Sequence, residues 1–344
     1  MIAGIDLRSD TVTKPTAAMR RAMADAEVGD DERDGDPTMQ RLERRVAELL
    51  GKDEALFFPS GVMGNQAAIW AHTTPATEVL LDADAHIIHW ELAGAAALCG
   101  VQIRPVTPAG DVFTADDLRA TLRPASKYYP AASLVCVENT HNGAGGRITS
   151  RDELRRIQKV ARDQKLPVHM DGARLWNAAV ASGTSLTDFA ATADTVMVAF
   201  SKGLGAPIGA AVAGDKDVMA EVWTARKLFG GALRQSGMLA AAALHALDHH
   251  IDRLAEDHAN ARILAQAVHG AGGCTVVSPD TNIVMIDLPP GRKTRPIVEA
   301  AKKSGVLISE WSATRIRLVT HLDVSAGDCR NAGVILAKAL ESAV

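Results

Sequence analysis

Several absences in this 344-residue chain exclude classes of protein. No apolar run approaches the roughly 20 residues that a transmembrane helix needs, so we expect no membrane partner. The four cysteines, at positions 99, 136, 274 and 329, form no C-x-x-C pair, which argues against a disulfide framework or a cysteine-based zinc site. The net charge is −4 without a basic stripe, so we expect no nucleic-acid partner.

The start of the chain and its scattered cysteines both bear on where the protein works. Asp6, Arg8 and Asp10 stand where a signal peptide would need its apolar segment. Unpaired cysteines are typical of a reducing compartment. We therefore expect a cytoplasmic protein that acts on a small molecule.

The spacing of apolar residues predicts an α/β protein. The clearest helix has Asp36 as its N-cap, Pro37 in its first turn and Gly51 at its C-terminal cap. Short apolar runs then alternate with segments of helical periodicity. The runs that predict strands are 55–58, 79–81, 103–106, 134–137, 168–170, 196–200 and 208–212. Because several of them are apolar on both faces, we expect a largely parallel sheet covered by helices.

The pattern changes near Gly237, where a long helical stretch is predicted over 238–269. Strand-like runs follow at 283–288, 306–308 and 316–319, and a last helix starts near Ala326. We therefore predict a large domain over residues 16–240 and a smaller C-terminal α/β domain over residues 241–344.

Polar residues cluster directly after the predicted strands. They form the segments Pro59–Asn65, Asp82–His86, Glu138–Asn142, Asp171–Arg174 and Ser201–Gly203. The carboxyl ends of parallel strands share one edge of the sheet, and open α/β folds bind ligands at that edge. We therefore predict that these segments form a binding site.

Three features of this edge match the requirements of pyridoxal phosphate. The turn Ser60–Asn65, which is neither a dinucleotide nor a Walker motif, can hold a phosphate at the start of a helix. Asp171 ends a buried strand and needs a partner, either a protonated pyridine nitrogen or Arg174. Lys202 ends another such strand, where burial lowers the pKa of an amine and makes it a nucleophile or Schiff-base former.

A metal site is the first alternative. His86, His89 and Glu91, together with His169 and Asp171, have spacings found among zinc ligands. The strand-to-loop context does not assure the helix that would bring His86 and His89 to one face. We therefore predict that the site holds no metal.

Ordered segments along nearly the whole chain match one enzyme family. They are Ile5–Pro15, Val28–Asp31, Pro59–Asn65, Ala83–Glu91, Glu138–Asn142, His169–Ala178, Ser201–Gly209, Gly230–Gly237 and Arg317–Ser325. With these segments the sequence resembles the L-threonine aldolases of low specificity, which have the aspartate-aminotransferase-like fold (fold type I). The resemblance implies pyridoxal phosphate as the cofactor and places residues 1–15 with the small domain or a subunit interface.

The resemblance also implies a reaction and an assembly. The reaction is the reversible retro-aldol cleavage of L-threonine, L-allo-threonine or a related β-hydroxy-α-amino acid to glycine and an aldehyde. The assembly is a homo-oligomer, at least a dimer and more commonly a tetramer.

The cofactor contacts that the resemblance implies fall on residues from five segments. They are Lys202, Asp171, Gly61, Val62, Asn65, His86, Arg174 and Arg234. Lys202 would bond the cofactor aldehyde and Asp171 would hold the ring N–H. Gly61, Val62 and Asn65 would lie by the phosphate. His86 would stack on the ring, and Arg234 would reach a phosphate in the neighbouring subunit.

The resemblance assigns the substrate carboxylate to Ser9, Arg174 and Arg317. Arginine suits this role because its planar fork binds a carboxylate through two hydrogen bonds. His86 is the expected base for the β-hydroxyl proton, directly or through a water that Glu91 would orient.

Two positions depart from the family pattern. Arg33 stands where many members have a tyrosine that borders the active site across the dimer. Tyr128 stands where some relatives have a histidine that contacts the substrate hydroxyl. We assign both to the substrate site, where they leave the preferred β-hydroxy amino acid open; Arg33 would admit a polar or acidic side chain.

Two further alternatives stay open on the sequence. The same cofactor also serves β-elimination, racemisation and transamination, and a fold does not fix its chemistry. A non-catalytic binding protein is the other alternative, but the presence of Lys202, Asp171, Arg174 and Arg317 argues against it.

Overall fold

A computed structural model describes residues 4–124 and 126–342 of the chain. Its strands are β1 (Ile5–Asp6), β2 (Glu54–Phe58), β3 (Glu78–Asp82), β4 (Gln102–Val106), β5 (Ala132–Glu138), β6 (Val168–Gly172), β7 (Thr195–Ala199), β8 (Ala210–Gly214), β9 (Thr275–Val277), β10 (Ile283–Asp287), β11 (Val306–Leu307), β12 (Ser309–Glu310) and β13 (Arg315–Val319).

The α-helices lie between and after these strands. They are α1 (Ala17–Ala24), α2 (Pro37–Leu50), α3 (Gly61–His72), α4 (His86–His89), α5 (Gly94–Cys99), α6 (Ala115–Thr121), α7 (Arg151–Asp163), α8 (Leu175–Ser182), α9 (Leu186–Ala190), α10 (Lys216–Leu228), α11 (Gly237–His249), α12 (Leu254–Val268), α13 (Thr294–Lys303) and α14 (Ala326–Ser342).

Helix α2 confirms the predicted helix at both ends. Asp36 Oδ1 accepts from the N–H groups of Thr38 and Met39, Pro37 opens the helix, and Gly51 closes it at a φ of 62°. That φ lies in the left-handed region, where glycine carries no Cβ penalty. Local cap chemistry therefore sets both ends of this helix.

Seven of the described strands form the main sheet, in the order β2-β8-β7-β6-β5-β3-β4. Strands β7, β6, β5, β3 and β4 are parallel to one another, while β8 is antiparallel to both β2 and β7. The predicted largely parallel sheet is thereby confirmed. Because β8 alone is reversed, the carboxyl ends of the other six strands share one edge.

Helices cover both faces of the main sheet. One core packs α1, α2 and α7 against it through Met19, Leu42 and Leu154. On the other face α3 and α10 pack through Ala67 and Val222. Burial on both faces explains why β3, β6, β7 and β8 read as continuous apolar runs.

The C-terminal part builds a second, antiparallel sheet in the order β12-β13-β10-β9. The N-terminal β1 pairs with β11 here, with Ile5 opposite Val306. A separate core that includes Leu7, Leu264 and Leu318 lies beneath it. The predicted domain ranges stay a prediction, and their ends at 1–3 and 343–344 lie outside the described residues.

The predicted helical stretch 238–269 is broken into α11 and α12. Between them the buried His250 turns its Nδ1 to the carbonyl of Leu204, at 2.7 Å. This tertiary hydrogen bond holds the break, which apolar spacing alone did not reveal. Neither these two nor any other described helix is long and apolar enough to cross a bilayer.

Candidate active site

Asp171 lies at the carboxyl edge of the main sheet, near the end of β6, and is only 2% exposed. Its Oδ1 accepts from the backbone N–H of Ala173 at 3.0 Å, and its Oδ2 accepts from Asn65 Nδ2 at 2.8 Å. Both donors are neutral. Among the described residues, no arginine, lysine or histidine nitrogen lies within 4.0 Å of it. A buried negative charge held in this way favours a cationic ligand.

Lys202 follows β7 at the same edge. Burial, and then the positive charge of Arg174, lower the pKa of its amine, although Asp171 and Asp10 act in the opposite direction. A lowered pKa raises the share of neutral amine, which is the nucleophilic form. Lys202 is therefore suited to bond a carbonyl group.

His86 is oriented by Glu91. Glu91 Oε1 accepts from His86 Nδ1 at 2.9 Å and from Asn65 Nδ2 at 2.9 Å, and Oε2 accepts from Gln66 Nε2 at 2.6 Å. With the proton on Nδ1, the Nε2 atom of the neutral ring keeps a free lone pair and can accept a proton. Burial lowers the His86 pKa, but the hydrogen bond to Glu91 and the charge of Asp171 outweigh it, so the pKa is raised.

Glu138 joins two loops of the site. Its Oε2 accepts from the backbone N–H of His86 at 2.7 Å, and its Oε1 accepts from the backbone N–H of Asn142 at 2.8 Å. One carboxylate at the end of β5 therefore fixes both the start of α4 and the loop that follows β5.

Arg174 forms one side of the site and is held by Asp10. Its Nε donates to Asp10 Oδ2 and its Nη2 to Asp10 Oδ1, both at 2.8 Å, and Asn282 Nδ2 donates to Oδ2 at 3.1 Å. Burial would raise the pKa of Asp10, but the Arg174 guanidinium holds it well below its usual range. This two-point pair fixes the plane of the guanidinium.

Arg317 lies beside Arg174, and not all of its N–H groups are hydrogen-bonded. Its Nη1 donates to Asn142 Oδ1 at 2.9 Å, while its buried Nε has no hydrogen-bond partner among the described residues. Burial and the charge of Arg174 lower the pKa of Arg317 to about 10. An incompletely paired guanidinium of this kind is suited to bind a carboxylate.

Lys202, His86, Arg174 and Arg317 line one cavity of about 160 Å³. It is lined by Ser9, Thr11, His86, Trp90, Asn142, Arg174, Lys202, Trp311 and Arg317. The structure thus brings together the predicted Lys202, His86, Arg174, Arg317 and Ser9, which come from distant parts of the chain.

Helix α3 begins at the same edge. Ser60 accepts from Met63 through its side chain and from Gly64 through its carbonyl. The amides of Gly61 and Val62 are those that this cap leaves for a ligand. A helix N-terminus with such amides is suited to hold a phosphate.

Comparison with known proteins places the chain in a family. The β-eliminating lyase profile matches residues 6–289. The chain belongs to the β-eliminating lyase family. Low-specificity L-threonine aldolase 1 of Arabidopsis thaliana is 37% identical over 336 residues, which cover 95% of this chain and 94% of that protein. The low specificity L-threonine aldolase of Escherichia coli K12 is 38% identical over 322 residues, 93% and 95% of the two chains.

The fold agrees with that of solved family structures. The threonine aldolase of Leishmania major superposes with a TM-score of 0.82 at 20% identity, covering 98% of this chain and 99% of that one. This confirms the predicted α/β fold class. The relatives confirm the resemblance to the L-threonine aldolases.

The site of this β-eliminating lyase family member fits pyridoxal phosphate. Asp171 offers a buried carboxylate that has no cationic partner in the part of the chain that the structure describes, which suits a pyridine N–H. Lys202 offers a nucleophilic amine for the aldehyde. Gly61 and Val62 offer amides for the phosphate. These three functions are those that the cofactor requires.

The residues considered above as metal ligands form hydrogen bonds within the protein. His89 turns to the carbonyl of Ala83, and the fully buried His169 bonds Thr195 and Asn65. His86, Glu91 and Asp171 do have ligand atoms within 4.8 Å of one another. However, Asn65 Nδ2 donates to both carboxylates. An N–H donor thus occupies the position where a cation would bind.

Three residues of the predicted site have contacts or positions that the sequence did not predict, and their roles stay predictions. Asn65 was expected by the phosphate, but its amide bonds the carboxylates of Asp171 and Glu91. Glu91 was expected to orient a water, but its oxygens accept from three side chains. Tyr128 is 83% exposed in the loop that leads into the amino end of β5, opposite the active-site edge. Packing between distant parts of the chain determines these positions, and the spacing of residues in a motif gives no information about that packing.

Arg33 and Arg234 lie together in a surface cluster rather than on the cavity. Asp30 Oδ2 lies 3.8 Å from Arg33 Nε, and Asp30 Oδ1 lies 3.2 Å from Arg234 Nη1. The same Arg234 Nη1 is 3.2 Å from Glu32 Oε2. A role for either residue at an active site therefore requires a neighbouring subunit.

Sequence reasoning missed several residues of the site. Asp10 entered it as an argument against a signal peptide and as part of a matching segment. Glu138 and Asn142 entered it only as the ends of a polar segment, without roles of their own. Trp90 entered it only as part of a matching segment, and Trp311 was not singled out. The one local signal for Asp10 was an acid directly after Ser9, a predicted ligand of the substrate carboxylate.

Proposed function

We propose that the chain is a pyridoxal-phosphate-dependent aldehyde-lyase that cleaves L-threonine, L-allo-threonine or a related β-hydroxy-α-amino acid to glycine and an aldehyde. One observation carries the proposal: Lys202, Arg174 and Arg317 line one cavity, Asp171 lies at the same edge of the main sheet as Lys202, and the Arg317 Nε has no hydrogen-bond partner among the described residues. The similarity to low-specificity L-threonine aldolases at 37–38% identity supports the reaction class.

Different residues bind the substrate and the cofactor. Arg317 and Arg174 bind the substrate carboxylate, with Ser9 beside them on the cavity wall. Asp10 and Asn142 hold the two guanidinium groups in place. Pyridoxal phosphate, held by Lys202, Asp171, Gly61 and Val62, supplies an electron sink for the bond that breaks.

His86 moves the proton. Its Nε2 accepts the β-hydroxyl proton, directly or through a water, while Glu91 retains the Nδ1 proton. The Cα–Cβ bond breaks, the β-oxygen becomes the carbonyl oxygen of the aldehyde that leaves, and Cα takes one proton in place of the lost carbon to give glycine, which balances the proton that His86 accepted. Orientation by Glu91 and Glu138 keeps the imidazole in the productive position.

We also propose a homotetrameric enzyme of the cytoplasm. Arg33 and Arg234 are exposed in their surface cluster, which supports a cross-subunit role for both. The four cysteines are buried free thiols, as suits a reducing compartment. Sedimentation equilibrium of the purified protein tests the assembly.

A single assay tests the reaction. The holoenzyme is incubated with L-threonine and without a keto acid, and products are quantified. We expect equal amounts of glycine and acetaldehyde, and loss of both in Lys202→Ala. Ammonia with 2-ketobutyrate would indicate β-elimination instead, and D-allo-threonine, the product of inversion at Cα, would indicate racemisation. Full turnover by Lys202→Ala would disprove the mechanism.

A further inference from the structure

A network of hydrogen bonds leads from the end of α3 to the carboxylate of Asp171. His72 Nε2 lies 3.0 Å from Thr195 Oγ1, which lies 2.9 Å from His169 Nδ1. His169 Nε2 lies 3.1 Å from Asn65 Oδ1, and Asn65 Nδ2 donates to Asp171 Oδ2 at 2.8 Å. His169 and Thr195 are completely buried. Side chains that do not line the cavity are thus connected to the acid of the site.

Three elements bring these side chains together. His169 and Asp171 are two residues apart on β6, so both side chains point to the same face of the sheet. Thr195 of β7 lies opposite His169 in the parallel pairing of the two strands. Helix α3 packs on this face and carries Asn65 in its first half and His72 at its end. The network is therefore part of the packing of α3 on the main sheet.

The carboxylates determine where each proton of the network lies. Asn65 Nδ2 also donates to Glu91 Oε1, at 2.9 Å, so both amide protons face carboxylates and Oδ1 must accept from His169 Nε2. Burial, and then the charge of His72, lower the pKa of His169 to about 3, so its ring is neutral. Its Nδ1 therefore accepts from the Thr195 hydroxyl, whose oxygen accepts from His72 Nε2.

Every donor in this network points toward Asp171. Hydrogen bonds aligned in one direction polarise one another, so each strengthens the next. The network thereby stabilises the negative charge of Asp171 with neutral groups and leaves that charge for a cationic ligand. The second proton of the Asn65 amide binds Glu91, the partner of His86. One amide group thus holds both the acid for the cofactor and the acid that orients the base.

We infer that His169 is a positioning residue of the active site, which together with Thr195 and His72 fixes the Asn65 amide and so holds Asp171 toward the ring nitrogen of the cofactor. The inference rests on the proposed function and adds residues that act through Asp171 from outside the cavity. Without His169, the Asn65 oxygen would be buried with no donor, and the amide would lose the contact that fixes its plane.

Binding of two cofactor rings tests the inference. Pyridoxal phosphate has the ring nitrogen, and its 1-deaza analogue has a carbon in that place, so the ratio of their dissociation constants measures the interaction with Asp171. We expect the native protein, freed of cofactor and then titrated, to bind pyridoxal phosphate more tightly. Thr195→Val removes the hydroxyl at similar size and should weaken pyridoxal phosphate binding about tenfold, but binding of the analogue less than about twofold. His169→Ala should act in the same direction.

Two control variants separate the network from packing. Thr195→Ser keeps the hydroxyl and should retain the native ratio of dissociation constants. Thr192→Val removes another buried hydroxyl, which donates to the carbonyl of Phe189 at 2.7 Å and has no contact with the network. This variant should leave both dissociation constants unchanged.

The outcomes are distinct. Equal weakening of both ligands in Thr195→Val, or an unchanged ratio there, would overturn the inference, since these side chains would then serve packing alone. Equal binding of the two ligands by the native protein would also overturn it, because Asp171 would not discriminate the ring nitrogen. If the holoenzyme releases no glycine and acetaldehyde from L-threonine, the proposed function fails. The ratio of dissociation constants still decides the role of the network, since it requires no turnover.

Discussion

The main sheet carries a buried carboxylate at each of its two ends, and the two differ in their partners. At the amino end Glu78 is 2% exposed and pairs with Arg104 at 3.0 Å and Arg123 at 2.5 Å. At the carboxyl end Asp171 is also 2% exposed, but it accepts from the Asn65 amide and one backbone N–H. The protein neutralises Glu78 fully and leaves the charge of Asp171 for a ligand.

The comparison separates a structural carboxylate from a functional one of equal burial. A buried acid that is completely paired within the chain has no capacity for a ligand. An acid held by neutral donors, next to a lysine with a lowered pKa, is typical of an active site. Burial alone therefore does not identify the site; the charge of the partners does.

The largest expected effect is that of Asp171→Asn. The amide fills the same space but cannot stabilise a protonated pyridine nitrogen. We expect kcat on β-hydroxy amino acids to fall about a thousandfold and the affinity for pyridoxal phosphate to weaken. Steady-state kinetics and equilibrium dialysis with the cofactor measure the two effects.

Glu78→Gln is the matched control at the other end of the sheet. It leaves Arg104 and Arg123 without a charged partner, so the free energy of unfolding falls by about 1–3 kcal/mol. Activity per folded molecule should change by less than about twofold. A loss of activity as large as that of Asp171→Asn would refute the distinction between the two ends.

Asp10→Asn tests whether the position of Arg174 at the carboxyl end of the sheet depends on its charged partner, as that of the arginines at the amino end depends on Glu78. Removing the charge loosens the Arg174 guanidinium, so we expect KM for the amino acid to rise about tenfold with a smaller change in kcat. Asp116→Asn, which breaks exposed pairs with Arg119 and Arg156, should leave both constants unchanged. An unchanged KM in Asp10→Asn would show that Arg174 keeps its position without this partner.

Glu91→Gln tests the electrostatics of the base. The hydrogen bond to Glu91 raises the His86 pKa, and the neutral ring is the active form above that pKa. Loss of the carboxylate lowers the His86 pKa, so the acid limb of the kcat/KM profile should move to lower pH. Asp84→Asn, beside the exposed His89, is the control that leaves the limb in place. If the acid limb of the profile stays at the same pH in Glu91→Gln, the group that titrates there is not His86.

Local chemistry in the sequence predicted the elements and the location of the site. The caps at Asp36 and Gly51 set α2, and strand ends placed Asp171 and Lys202 on one edge. These signals act over a few residues, so they are readable without the fold.

The contacts that refine the site join distant parts of the chain. Asp10 binds Arg174 across 164 residues, and Asn65 binds Asp171 across 106. Which polar side chains meet depends on how buried elements pack in three dimensions. No local pattern therefore showed that the Asn65 amide lies between two carboxylates.

The smallest expected effect is that of Tyr128→Ala. Counting along the chain placed Tyr128 in the substrate site, but its ring is 83% exposed at the amino end of the sheet, beside the Lys127 amine. Within one subunit it has no path to Lys202, so we expect kcat/KM on L-threonine and on β-phenylserine to change less than about twofold. Tyr128→His, which introduces the residue of some relatives, should be equally silent. A larger loss that disappears when the oligomer dissociates would instead show that this loop completes the cavity of a neighbouring subunit, and the amino end of one sheet would then serve the carboxyl end of another.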